Sequence, residues 1–141
     1  MMDLRELYQD IILDHGRHPR NFRTIEHPTH FAQGHNPLCG DRVTVDVAMT
    51  DGRVSDFAQR VRGCVLCEAA GSIIGAHAIG ATPDALRAAA AAAAAVVAGR
   101  APSADSWPEL AFFAPVHAHK SRHNCVLLPF QALEDALAKL I

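Results

Sequence analysis

The sequence predicts an α+β fold: a small antiparallel sheet of about three strands, covered by helices. Three observations predict it. "DRVTVDVAMTDGRVSDFAQRVRG" alternates Val43, Val45 and Val47 with polar residues and turns at "TDGR" into a second strand. "TPDALRAAAAAAAAVVAG" starts and stops like a helix, and "NCVLLPFQALEDALAKLI" repeats Val126, Phe130, Leu133, Leu137 and Leu140 at helical steps. A sheet with one apolar face needs helices over it. At 141 residues, with no repeat or linker, residues 1–141 read as a single domain.

The elements follow in order. "DLRELYQDIILDHGRHP" carries an apolar stripe of Leu4, Leu7, Tyr8, Ile11 and Ile12. Asp3 serves as its N-cap, Glu6 closes a capping box, and the helix stops near Gly16 ahead of Pro19. "RNFRTIEHPTHFAQGHNP" is mostly irregular, with a short strand around Thr29–Gln33. In the second hairpin strand Val54, Phe57 and Val61 keep the apolar pattern imperfectly. "CEAAGSIIGAHAIG" is small and apolar, suited to a buried helix packed closely on the sheet. Thr82 caps the alanine-rich helix, Pro83 takes its first position, and Gly99 ends it. "RAPSADSWPEL" is a loop and "ELAFFAPVHA" a short helix. Pro129 is expected in the first turn of the last helix, where its missing amide costs little.

Composition limits the function classes. Thirteen basic side chains against fifteen acidic ones give a net charge of -2, so no broad nucleic-acid-binding surface is expected, although a local basic patch is compatible with it. The most apolar run, Ala88 to Ala98, is 11 residues long, short of the roughly 20 that span a bilayer. With no export signal in "MMDLRELYQD", a cytoplasmic protein without a membrane partner is expected. In that reducing compartment four cysteines read as ligands or reactive thiols rather than disulfides.

Cys39 lies in the turn "NPLCGD", Cys64 follows the second hairpin strand, and Cys125 opens the last helix. All three fall at junctions of elements, where side chains converge on a rigid frame. Asp41 adds an oxygen ligand beside Cys39, and three thiolates with one carboxylate suit zinc or a labile iron site. Competing readings of the thiols are a buried small hydrophobe, a zinc centre serving stability alone, and a Cys64–Cys67 redox pair. Cys67 sits one helical turn from Cys64, as an auxiliary thiol or spare ligand. His35, His117, His119 and His123 are candidate ligands or surface groups, with His123 two residues before Cys125. Arg122 is a candidate modulator, holding Asp41 or a thiolate by charge.

"LYQDIILDHGRHPRN", "NPLCGDRV", "RGCVLCEAAGSI" and the final "RHNC…ALEDAL" together resemble the NifU N-terminal / IscU / SufU family of iron–sulfur cluster assembly proteins, over nearly the whole chain. The resemblance implies the SufE/NifU-like fold, and a site of Cys39, Asp41, Cys64 and Cys125 that holds zinc or a labile [2Fe–2S] cluster. It implies sulfur accepted at Cys39 from a cysteine desulfurase of SufS or IscS type, and delivery to a downstream Fe–S carrier or apo-protein. Asn124 stands where IscU-type members have a histidine, "LPPVK" is absent, and 61 positions separate Cys64 from Cys125. These features resemble the SufU branch, whose members relay sulfur with zinc and activate the desulfurase. A scaffold and a zinc-dependent sulfur carrier are thus both implied, neither a stand-alone enzyme. Cys67 stands where the family commonly has serine.

Overall fold

The computed structural model describes residues 8–36, 40–102 and 105–139. The N-cap Asp3 and capping-box Glu6 lie outside the described residues, as do Leu4, Leu7 and Leu140. The described chain runs α1 (Asp10–Arg17), β1 (His30–Asn36), β2 (Asp41–Thr50), β3 (Arg53–Arg62), α2 (Val65–His77), α3 (Pro83–Val97), a 3₁₀ segment (Pro108–Ala118) and α4 (His123–Ala138).

The three strands form one antiparallel sheet in the order β1-β2-β3. Asp51 and Gly52 turn the β2–β3 hairpin with positive φ, at 53° and 77°. Val43, Val45 and Val47 are buried on one face, opposite Val61, Gln59 and Phe57. The imperfect apolar spacing of β3 has a physical cause. Met49 pairs with Val54 and Ala48 with Asp56, so Ser55 is an extra residue that shifts the phase and lets Val54 join the core.

β1 extends three residues beyond the expected Gln33, to Asn36. Neither His35 nor Asn36 favours a strand, yet they pair with Arg42 and Asp41. Gly34 has no side chain to place where Leu128 of α4 packs; a Cβ there would lie 3.0 Å from the leucine methyl. α4 lies across β1 and β2, and α2 runs along β3 and against α1. Gly75 lets the Arg20 carbonyl come close to α2, and Asn21 donates to the Gly75 carbonyl at 2.9 Å.

Two expectations about helices are corrected. α1 starts at Asp10, after Gln9 in extended backbone, rather than running on from a cap at Asp3. The short helix expected around "ELAFFAPVHA" is a 3₁₀ segment, with Pro115 inside it. A proline in an α-helix collides with the preceding turn, and a tighter, irregular segment accommodates it. α4 starts at His123, so Pro129 is its seventh residue and sits in the helix interior. Its ring therefore withholds the amide that would otherwise bond the Cys125 carbonyl.

The outer face of the sheet is covered in part by the strap that follows α1. Asp46 is 2% exposed there. Its Oδ2 accepts from Arg60 Nη1 at 3.0 Å and from the Ile25 amide at 3.2 Å. The same Arg60 nitrogen donates to the Arg23 carbonyl at 2.7 Å.

A second buried polar group ties α1 to α2. His15 is buried, its Nδ1 2.8 Å from Ser72 Oγ, which also accepts the Arg20 amide at 2.9 Å. Burial, reinforced by the Arg20 charge, pushes the His15 pKa below its ordinary 6.5, against weaker opposing effects of Glu109 and Asp14. The unfolded chain therefore binds the His15 proton more readily than the native one. This contribution to stability is present above pH 6.5 and is lost as pH falls from there through the lower folded value. Denaturant melts from pH 7.5 to 4.5 are expected to show a steeper loss in the wild type than in His15→Gln. Equal slopes would contradict it.

Candidate metal centre

Three elements bring the site together. Gly40, with φ 76°, turns the chain into β2, and its amide bonds the Asn36 carbonyl at 2.8 Å. Asp41 is thus the first residue of β2, and its side chain turns inward with 3% exposure. Cys64 is the N-cap of α2, in extended backbone, half-buried against the core. Cys125 is the third residue of α4 and is 2% exposed. A carboxylate oxygen of Asp41 and the sulfurs of Cys64 and Cys125 all lie within 4.8 Å of one another.

Asp41 is held by one oxygen and orphaned at the other. Oδ1 accepts the Cys64 amide at 3.2 Å. Oδ2 is buried and has no hydrogen-bond partner among the described residues. A buried carboxylate oxygen without a partner costs free energy, and such atoms are normally satisfied. A cation bound between the two sulfurs and Oδ2 removes that cost. Two sulfurs and an oxygen at this spacing fit zinc, which takes thiolate, imidazole and carboxylate ligands in a tetrahedron.

Gly63 makes the arrangement possible. A Cβ built on it would collide with Asp41 Oδ1 and lie 3.0 Å from Asp41 Cβ. Gly63→Ala must therefore swing the carboxylate away from the sulfurs. Zinc affinity is expected to fall about 10- to 100-fold, the range for groups that orient a ligand. A chelator-competition titration checks this; unchanged affinity would show that Asp41 is not a ligand.

Charged neighbours surround the centre. Arg122, just before α4, has its pKa raised by the charge of Tyr8, by a hydrogen bond to Cys125 and by the charges of Cys64 and Cys125, against partial burial. The guanidinium thus lies beside the Cys125 sulfur. Glu68, one turn into α2, has its pKa raised by burial and then by the Asp41 charge. Nothing in the sequence singled out Glu68; its helical spacing of four from Cys64 was the available signal.

The other candidates are placed elsewhere. Cys39 lies outside the described residues. Cys67 is fully buried within the hydrophobic core, and the group of Asp41, Cys64 and Cys125 does not include it. His123 Nε2 is 3.0 Å from the His117 carbonyl, and the two rings stack at 6.3 Å. Among the described residues no histidine joins the three-residue group, although His119 Nε2 is buried without a partner. His35 is exposed at the end of β1.

The sequence matches the family described as "NifU-like N terminal domain" over residues 7–138. The chain belongs to this family. This NifU-like chain is 26% identical over 137 residues to the iron-sulfur cluster assembly scaffold protein IscU of Streptococcus pyogenes, covering 96% of this chain and 86% of the relative. It is 29% identical over 72 residues to the zinc-dependent sulfurtransferase SufU of Bacillus subtilis, covering 51% and 48%. The crystal structure of a nitrogen-fixing NifU-like protein (N-terminal) from Brucella abortus superposes with TM-score 0.89 at 34% identity, covering 96% and 94%. The α+β fold with its three-stranded antiparallel sheet is shared with the Brucella abortus protein. Among the described residues no helix is long and apolar enough to cross a membrane.

Proposed function

We propose that this single-domain NifU-like protein assembles iron–sulfur clusters in the cytoplasm. It accepts sulfur from a cysteine desulfurase and builds a nascent [2Fe–2S] cluster at Cys39, Asp41, Cys64 and Cys125 for a downstream carrier or apo-protein. The observation that carries the reading is the orphaned Asp41 Oδ2 beside the sulfurs of Cys64 and Cys125. Cys39 completes the set from two residues before Asp41, a tether of about 7 Å at full extension.

The protein's own residues divide the work. Cys64 and Cys125 are anchored at helix starts and stay in place. Cys39 is the sulfur acceptor. Its thiolate attacks the outer sulfur of the desulfurase persulfide; a new S–S bond forms on Cys39, the donor's S–S bond breaks, and the desulfurase leaves as a thiolate. Arg122 supplies positive charge beside Cys125. Asp41, the one oxygen ligand among sulfurs, is the group most readily exchanged for an incoming one. The cluster is cargo here.

A second reading is supported by the likeness to the B. subtilis protein named zinc-dependent sulfurtransferase. In it, zinc resides at Asp41, Cys64 and Cys125 with Cys39, and the sulfur moves on without a cluster being built. Zinc would then hold the thiols in their ionised form.

One experiment separates the two. The anaerobically purified protein is given cysteine and a desulfurase, first alone and then with ferrous iron and an electron donor that reduces the persulfide sulfur to sulfide, and each thiol is followed by mass spectrometry. Persulfide on Cys39 with acid-labile sulfide and bound iron supports assembly; persulfide with retained zinc supports the carrier. Neither persulfide nor cluster would overturn both.

A further inference from the structure

The solvent face of the sheet carries a row of basic side chains next to the metal centre. His35 pairs with Arg42, and Arg42 with Arg62, so the three stand in register across β1, β2 and β3. All three are exposed, and the row spans about 10 Å at ordinary strand spacing. Arg17, at the end of α1, lines the same groove as Arg62, with Pro19 and the exposed ring of Phe22 forming its apolar wall.

Like charges directly opposite on neighbouring strands are destabilising. Here the protein does not neutralise them. Among the described residues the side chains of Arg17, Arg42 and Arg62 make no ion pair or hydrogen bond, whereas those of Arg20, Arg23 and Arg60 are engaged by Asp14, Asp56 and Asp46. Glu68 lines the groove but bonds to neither Arg17 nor Arg62. The row is also tied to the centre by sequence: Arg42 follows Asp41, and Arg62 stands two residues before Cys64.

We propose that the row His35–Arg42–Arg62, extended by Arg17, docks an acidic segment of a partner protein beside the metal centre. Guanidinium forks match carboxylates two bonds at a time, and the patch contains arginine rather than lysine. The chain's net charge of -2 and the small size of the patch favour a short acidic protein segment over a nucleic acid. That the docked partner exchanges sulfur or cluster with the centre rests on the proposed function; the docking itself does not.

The test uses the full chain, zinc-loaded, with a fluorescein-labelled Glu-rich octapeptide as probe and an oligo-dT of equal charge for comparison. Anisotropy titrations are expected to show peptide binding that weakens with salt. Arg42→Glu combined with Arg62→Glu is expected to lower it about tenfold or more, and Arg62→Gln alone a few-fold. Arg100→Glu, three residues past the end of α3, is expected to leave it unchanged, and zinc content is expected to be equal in all. The single Arg62→Gln replacement at an exposed position keeps the test valid should the double variant misfold. No peptide binding by the wild type, equal binding by the arginine variants, or tighter binding of the oligonucleotide would each overturn the proposal. Since the probe needs no sulfur transfer, its failure and the failure of cluster assembly are read separately.

Discussion

Cys125→Ser is expected to release zinc from this protein under conditions where Cys67→Ser retains it. Cys125 brings a sulfur to within 4.8 Å of Cys64 and of the Asp41 carboxylate, from the rigid start of α4. A serine hydroxyl there stays protonated near neutrality and supplies no anionic ligand, so affinity should fall by more than the roughly 100-fold seen for orienting groups alone. Cys64→Ser is expected to behave alike. Cys67 is fully buried in the apolar core outside the three-residue group, so its replacement by serine buries a hydroxyl and costs stability, about 1–3 kcal/mol, with zinc kept. Metal analysis after dialysis against a weak chelator, beside a thermal melt, separates the two outcomes. Zinc loss in Cys67→Ser with retention in Cys125→Ser would contradict the assignment.

Asp46→Ala is expected to be strongly destabilising although it lies away from the centre. Asp46 is buried under the strap and satisfies both Arg60 and the Ile25 amide. Alanine leaves that amide without its acceptor and Arg60 without its counter-charge. Breaking a buried pair costs about 3–5 kcal/mol; the side chain of Arg60 retains 29% exposure, which places the loss at about 3 kcal/mol. For a chain of this size that is a fall in Tm of about 10 °C. Asp46→Asn keeps an acceptor for the amide and is expected to lose less. A melt of Asp46→Ala within a degree of wild type would show that the strap is not held by this carboxylate.

The parts of the fold legible in the sequence are those set by local rules. The alternation of Val43, Val45 and Val47 and the "DG" turn locate the hairpin, and Thr82 caps α3 by accepting the Ala85 amide at 3.2 Å. What was not legible depends on partners distant in the chain. β1 continues through His35 and Asn36 because Arg42 and Asp41 pair with them, and the phase of β3 depends on the extra residue Ser55.

The centre divides in the same way. Placement of Cys64 and Cys125 at element junctions, with Asp41 leading a strand, was enough to bring them together on paper. The spacing of Cys64 and Cys67 left open a shared pocket; the structure buries Cys67 in the core, outside the group of Asp41, Cys64 and Cys125 found among the described residues. Glu68 and Gly63 acquire their significance only through Asp41, a residue more than twenty positions away, by its charge for Glu68 and by its side chain's position for Gly63.

The central claim is that Asp41, Cys64 and Cys125, with Cys39, form one metal centre. X-ray absorption at the zinc K-edge of the zinc-loaded protein tests it most directly. The expected result is three sulfurs at about 2.3 Å and one oxygen at about 2.0 Å, with the oxygen replaced in Asp41→Cys by a fourth sulfur. Four sulfurs in the wild type, or a shell of nitrogen and oxygen alone, would contradict it.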